Sequence, residues 1–255
     1  MEEQKTKKDI FLPISIVIAA LVVGGALMYS KGKNNGGAEG TPIPTPSANA
    51  KELSLASDDQ ILGTSGAQLT FFEFSDYQCP YCGRFDQLSR PEIVTNYEKT
   101  NKVKMVFRDF PLPFHEYAEK ASEAAWCAGD QNKFWEMHDL LFTKQSGGAA
   151  DALSVANLKI YATTLGLDKT KFAQCLDGNT YQARVAQNLA SGQAIGVSGT
   201  PTVVIAKKLP IKIDATYIDA ELQKNNYVIA LDGGVMIVGA QPFSVYQTEI
   251  DKLLK

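Results

Sequence analysis

Histidine and tryptophan are scarce, two of each in 255 residues. Cysteine occurs four times, at Cys79, Cys82, Cys127 and Cys175. Only Cys79 and Cys82 form a close pair, whereas a zinc ribbon needs two such pairs. With His115 and His138 as the only imidazoles, the ligands for a metal site are missing. The formal net charge is −3, and no basic stripe or aromatic-interleaved basic run is present. The chain therefore lacks the electrostatic footprint of a nucleic-acid binder. No internal repeat is visible, and the composition, 45% hydrophobic and 21% charged, is that of an ordinary soluble domain.

Ionisable side chains are absent from Ile10 to Tyr29. About 20 helical residues at about 1.5 Å each span a hydrocarbon core of about 30 Å, so the segment reads as a transmembrane anchor. It is long for a cleavable signal, and the one small-residue tripeptide, Ala48-Asn49-Ala50, lies too far downstream to be a typical cleavage site. Lys5, Lys7 and Lys8 precede the run, against Lys31 and Lys33 after it. This bias puts residues 1–9 in the cytoplasm and the remainder outside the cell membrane. Residues 30–54, rich in Gly and then in Pro (Thr41 to Pro46), read as a spacer. Residues 55–255 then form one globular unit, large enough to bury a core without staples.

Within that unit, Leu69 to Phe74 reads as a buried strand interrupted by one carboxylate, Glu73. It runs into Cys79-Pro80-Tyr81-Cys82, where Pro80 suits a helix start. A second strand covers Val103 to Phe107. Helices follow, over Tyr117 to Ala128, from Phe134 through Leu141, and over Ser154 to Leu165, Asp168 to Leu176 and Asn179 to about Ile195. Asp168 and Asn179 stand where N-caps belong. After Gly199-Thr200-Pro201 the pattern returns to strands at Thr202 to Ile205, Tyr227 to Leu231 and Val235 to Val238. A closing helix covers Ser244 to Leu254. The order is α/β with a helical block at about 114–195.

Two cysteines separated by two residues at a helix start suit dithiol chemistry. The first sits among free backbone N–H groups at the positive end of the helix dipole, which favours a thiolate. Cys79 is the expected attacking sulfur and Cys82 the resolving one. A lone C-x-x-C also fits half a zinc site or a structural staple.

Glu73 to Cys82, together with Gly196-Val197-Ser198-Gly199-Thr200-Pro201-Thr202 and Ala124 to His138, resembles the DsbA-like thiol-disulfide oxidoreductases, including the membrane-anchored BdbD type. The resemblance implies a thioredoxin fold with an inserted helical domain and no cofactor. It implies that Glu73 is a buried acid serving Cys82, although the residues alone also allow an exposed strand position. It implies that Pro201 is cis and faces the cysteines, and that Thr200 offers its backbone to an extended substrate beside Pro80 and Tyr81. Cys127 and Cys175 fall in the insert, where an oxidising compartment favours a structural disulfide between them; the alternative is that both are buried thiols, and the sequence alone does not choose among the three pairings of four cysteines. His138 reads as a packed core histidine, because no partner acid is indicated.

Two features depart from the family. The Pro80-Tyr81 dipeptide matches glutaredoxins, and Lys207 to about Asn226 lengthens a connection that is usually tight; it reads as a tolerated excursion with a short helix near Tyr217 to Lys224. The implied activity is oxidation of exported protein thiols, with reoxidation by a quinone-linked membrane partner of the DsbB or vitamin-K-epoxide-reductase type. A reductase or isomerase, or a redox-inactive tethered peptide-binding module, remains open.

Overall fold

The structure, a computed structural model, describes residues 50–148 and 151–255. The expected anchor at 10–29 and nearly all of the expected spacer lie outside them. Among the described residues no helix is long and apolar enough to cross a membrane. In chain order the elements are β1 (Lys51–Leu53), β2 (Ile61–Leu62), β3 (Leu69–Ser75), α1 (Pro80–Leu88), α2 (Arg90–Ile93), a π-helical turn (Val94–Glu98) and β4 (Val103–Asp109). The helical block is α3 (Ala118–Gly129), α4 (Phe134–Ser146), α5 (Val155–Thr164), α6 (Lys169–Asp177) and α7 (Gln182–Ala194). It is followed by β5 (Thr202–Ala206), β6 (Ile211–Ile213), α8 (Ala215–Gln223), β7 (Val228–Leu231), β8 (Gly234–Val238) and α9 (Phe243–Leu253).

Six strands form one sheet in the order β2-β4-β3-β5-β8-β7, in which β3 and β4 are parallel and the other pairs antiparallel. All seven residues of β3 are buried because the strand is central and covered on both faces. This is why Leu69 to Phe74 reads as a continuous apolar run rather than an alternating one. The pleat still sorts the side chains. Phe72 and Phe74 pack with Val106, Val204 and Met236 on one face. Phe71 packs with Phe85, Tyr246 and Ile250, from α1 and α9, on the other. A third cluster fills the helical block and reaches Phe107, Cys79 and Cys82. The redox motif therefore sits where the block meets the sheet.

Helix α7 lies very close to the sheet. A Cβ on Gly192 would come within 2.9 Å of both Phe110 and Phe74. Polar pins cross the same seam: Asp109 accepts from Trp126 Nε1 and Asn188 Nδ2, both at 2.7 Å. Arg108 meets Asp59 at 2.7 Å.

Three expectations need correction. The spacer does not extend to residue 54: β1 pairs antiparallel with β6, Lys51 opposite Ile213, and Leu53 is buried. For the same reason Lys207 to Asn226 is more than an excursion. Ile211, Ile213 and Ile218 bury apolar side chains in the core under β5 and β8, so the segment covers a sheet face. Asn179 does not cap α7. It adopts a left-handed φ of 53° in the turn after α6, and Tyr181 precedes the helix instead. Asp168 does cap α6, accepting from the Thr170 and Lys171 amides at 2.9 and 3.0 Å.

Candidate active site

The short turn between β3 and α1 is built by Asp76. This fully buried carboxylate accepts from the Gln78 amide at 2.7 Å, closing the turn, and from the Leu112 amide at 2.8 Å. Its Oδ2 also lies 2.7 Å from His115 Nδ1. The Asp76 carbonyl accepts from the Cys79 amide at 3.0 Å, and its own N–H points at Cys82 Sγ, 3.5 Å away. One residue that the sequence reading passed over thus sets the position of both sulfurs.

Cys79 occupies the N-cap of α1 in an extended conformation, with Pro80 at the first helical position. Both cysteines are free thiols. Cys79 is only 4% exposed and Cys82 is fully buried. Pro80 and Tyr81 are exposed, Tyr81 by 63%.

The two thiols are pushed in opposite directions. A hydrogen bond from Cys82 is the main cause that lowers Cys79 from the ordinary 9.0 to about 6, helped by Thr200 and by the Cys82 and Tyr81 amides against the opposing effect of burial. Burial first, and then the neighbouring Cys79, hold Cys82 well above the ordinary thiol range. The Thr200–Pro201 bond is cis, and the Thr200 carbonyl lies 3.6 Å from Cys79 Sγ.

Glu73 lies on β3, 2% exposed, with Oε1 lacking a hydrogen-bond partner. Burial raises it from the ordinary 4.5 to about 7, and Arg90 opposes the rise. Ser75 sits two residues along on the same face of the strand, fully buried. Its hydroxyl has no hydrogen-bond partner among the described residues, and it lies near enough to Glu73 and Cys82 to oppose the rise of both. The period-2 pattern Glu73, Ser75 was the available signal for this residue.

His138 is packed as expected, fully buried against Phe107, Phe142 and Trp135. It does have acid partners, contrary to expectation. Nε2 is 3.4 Å from Asp86, and Nδ1 is 3.1 Å from the Tyr77 hydroxyl. Asp86, His138 and Asp139 are close enough to share a cation. Arg90 already supplies that charge, with Nη1 2.8 Å from Asp139 and 3.4 Å from Asp86. Cys127 and Cys175 are bonded to each other, Cα to Cα 5.8 Å, linking α3 to α6 away from this site.

Residues 56–222 match the thioredoxin family. The chain is 38% identical over 148 residues to Na(+)/H(+) antiporter NhaA 3 of Salinispora tropica, which covers 58% of this chain and 21% of that protein. The chain thus spans about a fifth of that relative's length. It is 30% identical over 162 residues to disulfide bond formation protein D of Bacillus subtilis, covering 62% of this chain and 71% of that one. The crystal structure of Wolbachia pipientis alpha-DsbA1 superposes with a TM-score of 0.63 at 20% identity, over 79% of this chain and 94% of that one. With the thioredoxin match covering more than half its length and a disulfide bond formation protein matched over most of that protein's own length, the chain belongs to the DsbA-like thiol-disulfide oxidoreductase family.

Proposed function

We propose that the chain is an oxidase of exported protein thiols, with Cys79 as the exchanging sulfur, Cys82 as the resolving one and Glu73 as the proton carrier. The observation that carries this reading is the opposed tuning of the two thiols together with a buried acid poised near 7. A substrate thiolate attacks Cys79 Sγ of the Cys79–Cys82 disulfide. The S–S bond breaks and its electron pair leaves on Cys82 Sγ, which takes a proton from Glu73. A second substrate thiolate then attacks the substrate sulfur of the mixed disulfide. The substrate disulfide forms, and Cys79 departs as a thiolate that is stable at neutral pH. The substrate dithiol is oxidised and the chain's pair reduced.

Stabilising the departing Cys79 thiolate favours the reduced state of the chain and hence donation of the disulfide. Thr200, with Pro201 cis beside it, presents a backbone edge to an extended substrate, and Pro80 and Tyr81 border the approach. The uncharged run at 10–29 supports a single-pass anchor with the domain outside the cell membrane. A quinone-linked membrane protein of the DsbB or vitamin-K-epoxide-reductase type would then remove the electrons.

Equilibration of the pair with glutathione tests the direction of flow. The oxidase reading expects a potential nearer the value of about −120 mV for DsbA than the value of about −270 mV for thioredoxin. A value at the lower end would assign a reductase.

A further inference from the structure

Beside the cis-proline loop lies a groove of about 770 Å³, between the β4–α3 connection and α7. Its volume is within the range of about 300–1,000 Å³ usual for binding sites. Leu112, Leu189 and Val197 give it an apolar floor, while Glu116 and Glu119 line one side. Both acids are exposed, and among the described residues neither has an ion-pair partner. Glu119 accepts only from the neutral Gln182. The nearby cations are committed elsewhere: Lys120 to Glu123 and Arg184 to Asp58 and Asp59. The groove is therefore apolar with uncompensated negative charge. Phe114, 75% exposed on the same connection, adds an apolar lip.

The groove adjoins the loop that reaches the site. Val197 and Ser198 line it, and two residues on, the Thr200 carbonyl faces Cys79 Sγ at 3.6 Å. On the β4–α3 connection, His115 and the Leu112 amide are both held by Asp76, the residue that positions the sulfurs. A polypeptide paired in extended form along Gly199 and Thr200 advances about 3.3 Å per residue, so its side chains reach the groove about two or three positions from its reacting cysteine.

We propose that this groove receives the substrate segment flanking the reacting cysteine and selects an apolar residue next to a lysine or arginine. The inference rests on the proposed function, since it presumes a polypeptide thiol at Cys79.

The test uses the oxidised full-length protein and three cysteine peptides of equal length whose flanking pair is Leu-Lys, Leu-Glu or Ser-Ser. The rate of reduction by each is divided by the rate with dithiothreitol, which has no flanks. Leu-Lys should exceed Leu-Glu by about fivefold, the scale of two partly screened charges, and raising salt from about 50 mM to about 500 mM should shrink the ratio. In a Glu116→Lys/Glu119→Lys double variant the order should reverse. A ratio untouched by either salt or charge reversal, or equal rates for all three peptides, overturns the inference and leaves the proposed function standing. A preference that disappears on dilution would place a second copy of the chain in the groove and likewise overturn it. Reduction by dithiothreitol but by no peptide defeats the proposed function itself, and the inference with it.

Discussion

The four cysteines form two pairs that the fold treats in opposite ways. Cys127 and Cys175 are joined across a separation of 48 residues, tying α3 to α6 inside the helical block. Cys79 and Cys82 are three positions apart at a helix start, both free, with one thiol held down and the other held up. The first pair is closed as a disulfide, with Asp130 Oδ2 3.8 Å from Cys175 Sγ. The second has the Thr200 carbonyl 3.6 Å from Cys79 Sγ, and the strand that leads into it carries the buried Glu73 and Ser75 on one face. On the proposed function, reactivity belongs to the surroundings of a sulfur: a helix amide end, a carbonyl edge and a buried acid would make one pair exchangeable, while a long closed loop makes the other a brace.

The strongest way to break this comparison is to exchange the roles of the sulfurs. Cys79→Ser should abolish capture of substrate, and Cys82→Ser should leave mixed disulfides that persist on non-reducing gels. Capture through the fully buried Cys82 in the Cys79→Ser protein, at a rate like that of the converse variant, would show the two assignments reversed. Cys127→Ala/Cys175→Ala should retain exchange with substrate.

Glu73→Gln should slow disulfide exchange by about 100-fold, the lower range for removing a positioned general acid. The native pH–rate profile should bend near 7 and lose that bend in the variant. The same substitution has a signed effect on stability. The folded pKa of Glu73, about 7, lies above the ordinary 4.5, so between these values the native state holds a proton that the unfolded state releases. Native stability therefore falls as pH rises from about 4.5 to about 7. Removing the acid should stabilise the protein above pH 7, by at most about 3 kcal/mol, with little change below pH 4. Denaturant midpoints at pH 4 and pH 8 check this, and a Gln variant no more stable at the higher pH would contradict a buried, raised Glu73.

For the other pair the large effect should be on stability. Removing the Cys127–Cys175 bond should cost about 2–4 kcal/mol through the freed loop, read from chemical denaturation. Alkylation sharpens the contrast within the reactive pair. Labelling of reduced protein should follow a midpoint near pH 6, map to Cys79 and spare Cys82. The depressed Cys79 value means that the thiolate's contribution to the stability of the reduced form is present above the ordinary 9.0 and is lost as pH falls through about 6. The smallest effect belongs to the helical block. Asp168→Ala should cost about 1 kcal/mol, the usual loss of an N-cap, and leave exchange rates alone.

The sequence by itself determined what depends on near neighbours along the chain. A continuous apolar run marked the central strand, Pro80 marked the helix start and put Cys79 at its amide end, and Asp168 marked a cap. The motif around Cys79, with Gly196 to Thr202, sufficed to name the fold. Other features depended on chain segments far apart in sequence. Lys51 to Leu53 has the composition of a spacer until Ile211 to Ile213 comes alongside to complete its hydrogen bonds. Asp76 gains its importance only when the 112–115 connection, 36 residues away, presents an amide and an imidazole to it. The value of about 7 at Glu73 comes from desolvation between β4, β5 and the helices above them, opposed by Arg90 from α2. Local sequence can place a carboxylate on a strand. Whether that carboxylate keeps its proton is set by how much water the tertiary fold removes from it and which charges it brings near.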